Sequence, residues 1–177
     1  FGGGTPSLLP AADIESILSA CRRSFHIAAD CEISMEANPG TLTPEKVRDY
    51  SKSGINRISL GAQSFDDREL SSIGRSHNAG MIPEAVGLLR DNGFVNINLD
   101  LMLGLPFQTE QSWRKTLHRT AELAVPHISV YMLDLDERCP LQSLVESGSV
   151  PLPVEEHVPE LVEEGLDHPR GHGVDPD

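Results

Sequence analysis

The chain has 177 residues, 38% of them hydrophobic, and a formal net charge of −13. That length and apolar content are sufficient to bury the core of one domain. The acidic balance argues against a nucleic-acid partner, because phosphate contacts require a basic surface. No apolar run approaches the roughly 20 residues that span a bilayer, and no signal-peptide pattern is present, so we expect a cytoplasmic protein without a transmembrane segment.

Four short segments rich in β-branched and aliphatic residues predict buried strands, namely 31–37, 56–61, 95–101 and 127–135. Helical spacing or helix-end residues mark the segments between them, which are 13–21, 44–53, 83–90 and a helix beginning near 109. Strands that alternate with helices across short loops predict an α/β fold with a parallel sheet and outer helices. The pattern alone does not distinguish an open sheet from a barrel.

Polar residues and a glycine-rich turn fall after the predicted strands, where ligands collect in parallel α/β folds. The glycine turn permits close approach of the backbone to a ligand, an arginine suits a carboxylate, and buried acids require a cation or hydroxyl partner. Each residue taken singly has an ordinary structural explanation. Together they predict one site for a zwitterionic ligand with ribose-like hydroxyls, with Gly3, Gly4, Glu36, Asn38, Gln63, Arg75, His77 and Asp100 among its candidate residues.

The motifs FGGGTPS, MEANPG, GINRISLGAQSF, GRSH, NLDLMLGLP and HISVYMLDL occur in that order over residues 1–150. This set resembles the radical S-adenosylmethionine (SAM) superfamily, and within it the oxygen-independent coproporphyrinogen III oxidase-like group, which includes the HemW-type heme chaperones. The resemblance implies a partial (β/α)6, TIM-barrel-like core. It also implies SAM and a 4Fe-4S cluster as cofactors of the full-length protein, with heme as a further ligand.

Residue by residue, the resemblance places Gly3, Gly4 and Thr5 at the methionine end of SAM and Glu36 at its polar groups. It places Gln63, Arg75 and Asp100 around the SAM carboxylate or ribose. In the oxidases of this group, a radical generated from SAM decarboxylates the propionates of coproporphyrinogen III. The cofactor performs that chemistry, while the protein binds and orients it.

Three functions remain open at this point. The sequence Gln63-Ser64-Phe65, followed by Arg75 and His77, is more similar to the heme chaperones, because the oxidases tend to carry an Asp after the Gln. This favours a heme carrier that binds heme or porphyrin and passes heme to an acceptor protein. The alternatives are a coproporphyrinogen III oxidase and, outside the family, a barrel that binds a phosphate ligand through the glycine turn.

The chain departs from the family at its cysteines. The CxxxCxxC loop is absent, and Cys21, Cys31 and Cys139 are too widely spaced to replace it. Because the chain opens at Phe1 on what resembles the end of a strand, we expect a fragment that lacks the cluster segment and the C-terminal domain and is inactive alone. Residues 1–150 are expected to form the core, and 151–177 an acidic helical stretch (155–164) with a disordered tail.

Overall fold

A computed structural model describes residues 1–135 and 139–153. Its sheet has four parallel strands in the order β1-β2-β3-β4, which are Ser34–Ala37, Arg57–Gln63, Asn96–Leu103 and His127–Met132. Six α-helices occur in the described part of the chain: α1 Ala11–Ser24, α2 Pro44–Ser53, α3 Asp67–Ser72, α4 Met81–Asp91, α5 Glu110–Glu122 and α6 Pro140–Glu146. Short 3-10 turns occupy Pro6–Leu8 and Pro39–Thr41. The predicted parallel α/β architecture is confirmed.

The predicted boundaries differ from the structure at several ends. The first strand begins at Ser34 rather than at 31, because the side chain of Asn56 takes the place of a ladder partner there. Asn56 Nδ2 donates to the carbonyl of Cys31 at 2.9 Å, and its Oδ1 accepts from the amide of Ile33 at 2.7 Å. The last strand ends at Met132 rather than at 135. The predicted helical stretch at 155–164 and the tail lie outside the described residues.

The sheet has one apolar face and one polar face, as alternation along each strand requires. On the apolar face, Ile58, Leu60, Leu99 and Leu101 are fully buried and belong to a core shared with the helices. On the opposite face, Glu36, Ser59 and Asn98 lie side by side on three successive strands, and Asp100 lies one step further along β3. The polar groups therefore face away from the core. Glu36, Ser59 and Asp100 keep surface that a ligand can reach, whereas Asn98 is buried.

The end of α2 requires a glycine for two reasons. Gly54 has a φ of +100° in the left-handed region, and a Cβ there would lie 2.6 Å from Arg22 Nη2, which donates to the Ser53 carbonyl. Gly54→Ala is therefore expected to lower the free energy of unfolding by about 1 kcal/mol or more. Gly87 lies inside α4 with open space around it, so Gly87→Ala is expected to raise the free energy of unfolding by about 0.5–1 kcal/mol. Urea unfolding midpoints measure both, and equal shifts would contradict the explanation.

Candidate functional site

A cavity of about 110 Å³ lies between the N-terminal loop and the carboxyl ends of β1, β2 and β3. It brings together six of the seven residues that the family resemblance predicts around SAM, namely Gly4, Thr5, Glu36, Gln63, Arg75 and Asp100. Gly3 does not line it, but its amide donates to Glu36 Oε2 at 3.1 Å. Asn38, a strand-end candidate to which the family resemblance gave no role, also lines the cavity, as do Ser59 and Gly61, which were not predicted. Strand-end topology thus assembles the site from segments up to about 100 residues apart.

The glycine loop approaches the Glu36 carboxylate closely. Gly3 and Gly4 both have positive φ values, 81° and 63°, which allow the chain to turn back over β1. A Cβ at Gly2 would lie only 2.8 Å from Glu36 Oε1. Glu36 itself is exposed, and the expected cost of a carboxylate at an inward position does not arise, because the polar face of the sheet is open at this point in the described part of the chain.

The loop is anchored on both sides of its glycines. The Phe1 ammonium group donates to the Ser34 carbonyl at 2.6 Å, and the Glu36 amide donates to the Phe1 carbonyl at 3.0 Å, so Phe1 runs beside β1. Further on, the Ser7 carbonyl accepts from Lys46 Nζ at 2.8 Å and from the buried phenol of Tyr50 at 3.3 Å. These bonds to α2 fix the loop against the domain, and Gly4, Thr5 and Pro6 of the loop line the cavity.

Gln63 occupies an unusual backbone conformation at the end of β2. Its φ is +64°, and the Ser64 amide donates to the Ala62 carbonyl at 2.8 Å, which together make a γ-turn of the strained kind. The Gln63 side chain is only 5% exposed, and its Oε1 has no hydrogen-bond partner among the described residues. That oxygen is enclosed, with almost no accessible surface, whereas Nε2 of the same amide lies 3.0 Å from the Cβ position of Gly61 at the centre of the cavity and is the atom placed to reach a ligand.

Gly61 keeps the centre of the cavity open. A Cβ at this position would lie 3.0 Å from Asn38 Oδ1, 3.0 Å from Gln63 Nε2 and 3.6 Å from Arg75 Nη1. Any side chain here would therefore occupy the space on which these three polar groups converge. The missed residues Ser59 and Gly61 had a usable signal in the sequence, since both alternate with buried Ile58 and Leu60 and so fall on the polar face.

Arg75 and Asp100 supply opposite charges to the cavity. Arg75 Nη1 donates to Asn38 Oδ1 at 2.9 Å, and burial lowers the pKa of its guanidinium while the nearby Asp100 carboxylate opposes that shift. Asp100 accepts from Ser59 Oγ at 2.7 Å and from Asn98 Nδ2 at 2.8 Å. Burial raises the pKa of the Asp100 carboxyl above its usual range, and the charge of Glu36 adds to the effect. The three charged side chains thus influence one another across one small cavity.

The raised pKa of Asp100 predicts a pH dependence of stability. Between the ordinary pKa of an unfolded aspartate and the higher folded value, the folded state holds more protons than the unfolded state. The contribution of Asp100 is therefore full at low pH and is lost as pH rises through the folded pKa. Asp100→Asn is expected to flatten the slope of unfolding free energy against pH in this window, which denaturant titrations from pH 3.5 upward measure. An unchanged slope would contradict the burial of this charge.

A family model for the radical SAM superfamily matches residues 1–120. The chain belongs to the radical SAM superfamily. It is 44% identical to the heme chaperone HemW of Haemophilus influenzae and 42% identical to that of Escherichia coli, in each case over 77% of this chain and 36% of the relative. The chain thus spans little more than a third of the length of these relatives.

A solved structure supports the same family membership. Coproporphyrinogen III oxidase of Escherichia coli, a radical SAM enzyme, superposes with a TM-score of 0.80 at 30% identity, over 93% of this chain and 38% of that protein. The fold predicted from the family resemblance is therefore confirmed for the described strands and helices. No helix of the described residues is long and apolar enough to cross a membrane.

The residues present fit SAM but not an iron-sulfur cluster. For SAM, the cavity offers the amide nitrogen of Gln63, a glycine-lined centre at Gly61 and charges of both signs. For a cluster, the described residues contain no group of three or more His, Cys, Asp or Glu side chains placed to hold a metal ion. Cys21 and Cys139 are partly buried and Cys31 is exposed, so no step of the chemistry is assigned to them.

Proposed function

We propose that this chain forms the SAM-binding part of a heme chaperone of the radical SAM superfamily, acting in the cytoplasm. The observation that carries the SAM assignment is the charge pattern of the cavity. Among the described residues that line it, the charged ones are the acids Glu36 and Asp100 and the base Arg75. SAM carries two positive groups, the ammonium and the sulfonium, and one negative carboxylate. The cavity presents the opposite set, two negative charges and one positive charge.

In this assignment, the seven predicted residues divide the ligand between them. Glu36, with the backbone of Gly3, Gly4 and Thr5, binds the ammonium end, and Arg75 binds the carboxylate through its planar donors. Asp100 accepts from the ribose hydroxyls, and Nε2 of Gln63 donates to a ribose oxygen. When bound, SAM supplies the radical chemistry of the superfamily, and these side chains bind and orient it.

The same charges count against a phosphate ligand. Two carboxylates line the cavity beside one guanidinium, and the amide of Gly3 already donates to Glu36 Oε2. A dianionic phosphate would meet net negative charge and would lose the loop amide that favours anions. The glycine turn is therefore proposed as a binding element for a cationic ligand group.

Ligand-observed NMR titrations test the SAM assignment on this chain, since they detect millimolar binding. SAM is expected to bind more tightly than S-adenosylhomocysteine, which has the same adenosine and amino acid but lacks the sulfonium charge. Inorganic phosphate serves as the control for the alternative ligand. Equal affinity for SAM and S-adenosylhomocysteine, or competition of SAM by millimolar phosphate, would contradict the proposal.

Two observations bear on the choice between chaperone and oxidase. The heme chaperones above are 42–44% identical over 77% of this chain, and others are 35–38% identical over 93–94% of it, whereas the coproporphyrinogen III oxidase is 30% identical over 93%. Ser64 also follows Gln63, where the oxidases tend to carry an Asp. Heme or porphyrin is therefore proposed as the cargo, with transfer to an acceptor protein.

Experiments on the complete protein that contains this chain distinguish a heme chaperone from a coproporphyrinogen III oxidase. Hemin added to it is expected to give a stable complex with a shifted Soret band and to pass to an apo-hemoprotein. An anaerobic assay with SAM and a reductant is expected to give no protoporphyrinogen from coproporphyrinogen III. Formation of protoporphyrinogen without stable hemin binding would favour the oxidase, which is the second candidate because of the structural likeness.

A further inference from the structure

The γ-turn at Gln63 is held by side chains that do not line the cavity. A positive φ at a non-glycine residue costs roughly 1–2 kcal/mol, and such a turn persists only where its surroundings impose it. Two buried groups of polar side chains flank the turn, one on each side. One contains His77, and the other contains Ser64, Glu69, Gln108 and Thr116.

His77 holds the residue before the turn. Its Nε2 lies 3.3 Å from the Ala62 carbonyl oxygen, which also accepts the turn's own bond from Ser64. Since a carbonyl only accepts, Nε2 must carry the proton. His77 is 4% exposed, burial lowers the pKa of its imidazole, and the nearby guanidinium of Arg75 lowers it further, while the Ala62 bond and Asp67 oppose the shift. A neutral imidazole with the proton on Nε2 is therefore the form that fixes Ala62.

Ser64 and Glu69 hold the residues after the turn. Ser64 Oγ donates to Glu69 Oε2 at 2.6 Å and accepts from the Asp66 amide at 3.0 Å. Gln108 Nε2 donates to the same Glu69 oxygen at 3.3 Å. Both Ser64 and Glu69 are fully buried or nearly so. The chain that leaves Gln63 is thus bonded to α3 and to the segment after β3.

We propose that His77 and the Ser64–Glu69 pair are positioning residues that hold the strained turn from both sides and so aim the Gln63 amide into the cavity. This inference rests on the proposed SAM site, since Gln63 is taken to contact that ligand. None of the three positioning residues lines the cavity. Their effect on a ligand must therefore pass through the conformation of Gln63.

The hold of His77, Ser64 and Glu69 on the turn at Gln63 is called the clamp below, and hydrogen exchange tests it without any ligand. His77→Leu removes the donor to Ala62, whereas His77→Gln keeps an N–H at a similar reach. In His77→Leu, the Ser64 amide is expected to exchange at least tenfold faster relative to the central β3 amides, and His77→Gln is expected to restore most of the protection. Unchanged relative protection of Ser64 in His77→Leu would overturn the inference.

A double-mutant cycle with SAM tests whether the clamp acts through Gln63. Gln63→Ala and His77→Leu are each expected to weaken SAM binding about tenfold, and the double variant no further than either alone. Additive losses would overturn the inference. If Gln63→Ala leaves SAM affinity unchanged while His77→Leu still accelerates Ser64 exchange, the clamp on the turn stands and the role of Gln63 in the proposed site fails.

Discussion

Replacing Ser64 by aspartate is expected to lower the free energy of unfolding by about 3–5 kcal/mol. Ser64 is completely buried, and its hydroxyl donates to Glu69 Oε2 at 2.6 Å. An aspartate would replace that donor by a second carboxylate facing the first, without water to separate the charges. Since domains of this size are stable by about 5–15 kcal/mol, such a loss would leave the variant close to unfolding at room temperature.

Two controls separate charge repulsion from the loss of a hydrogen bond. Ser64→Ala removes the bonds of the hydroxyl to Glu69 and to the Asp66 amide without adding a charge, and is expected to cost about 1.5–3 kcal/mol. The double variant Ser64→Asp with Glu69→Gln removes one of the facing charges and is expected to recover about 2 kcal/mol or more of the loss. Urea unfolding at constant pH measures all of these. A single Ser64→Asp variant as stable as the parent would contradict the burial of this pair.

The pH dependence of Ser64→Asp gives an independent check. Burial already raises the pKa of the Glu69 carboxyl, and a facing carboxyl would raise it further. The folded variant would then hold a proton that the unfolded chain releases near its ordinary pKa. The loss in free energy of unfolding of Ser64→Asp relative to the parent should therefore be smallest at low pH and grow as pH rises through the raised folded pKa of the carboxyl pair. A deficit independent of pH would indicate a steric cause alone.

The Ser64–Glu69 pair also gives a physical meaning to the difference between the two branches of the group. Residue 64 follows the cavity-lining Gln63 but is itself buried behind it, so it has no access to a bound porphyrin from that position. An aspartate there requires a different partner at position 69. The identity of residue 64 would therefore influence the ligand site through the turn at Gln63 rather than through direct contact.

The fold was predictable because local signals and tertiary structure agree along most of the chain. Thr43 accepts from the Lys46 amide as an N-cap, and Gly54 ends the same helix in the left-handed conformation. Thr109 and Ser112 form a reciprocal capping box at the start of α5. The short helices α3 and α6 were missed, because six or seven residues carry too few apolar positions to show a helical period.

The site was predictable where strand ends define it and not where burial depends on packing. Asp100 and Gln63 were found because polar residues stand out at the ends of apolar strands. Glu69 was not, since it lies in a polar segment that suggests an exposed loop, and only its packing against Ser64 buries it. His77 was singled out beside Arg75, but its burial against the Ala62 carbonyl was not predicted, for the same reason. Alternation along β2 contained enough information to add Ser59 and Gly61.

Replacing Arg75 by methionine is expected to weaken SAM binding by roughly 10–100-fold, the range for a lost hydrogen bond to a charged group. Methionine keeps the aliphatic length but removes the donors that point from beside Asn38 into the cavity. Arg57→Met is the matched control, because Arg57 lies on the polar face of β2 at the end away from the cavity and pairs with Glu32 at 3.0 Å. Its charge has the smallest of the resolved effects on the pKa of Asp100. Arg57→Met is expected to leave SAM affinity unchanged within about twofold.

Decarboxylated SAM identifies the ligand group that Arg75 contacts. This analogue keeps the sulfonium, the amine and the adenosine but lacks the carboxylate, so it has no partner for the guanidinium. The parent chain is expected to prefer SAM to the analogue, and Arg75→Met is expected to bind the two within about twofold of each other. If Arg75→Met weakens both ligands by the same factor, the guanidinium acts on another part of the ligand or only on the shape of the cavity. Arg75→Lys is not expected to rescue the preference, because a point charge cannot bind Asn38 and a carboxylate in one plane as the guanidinium does.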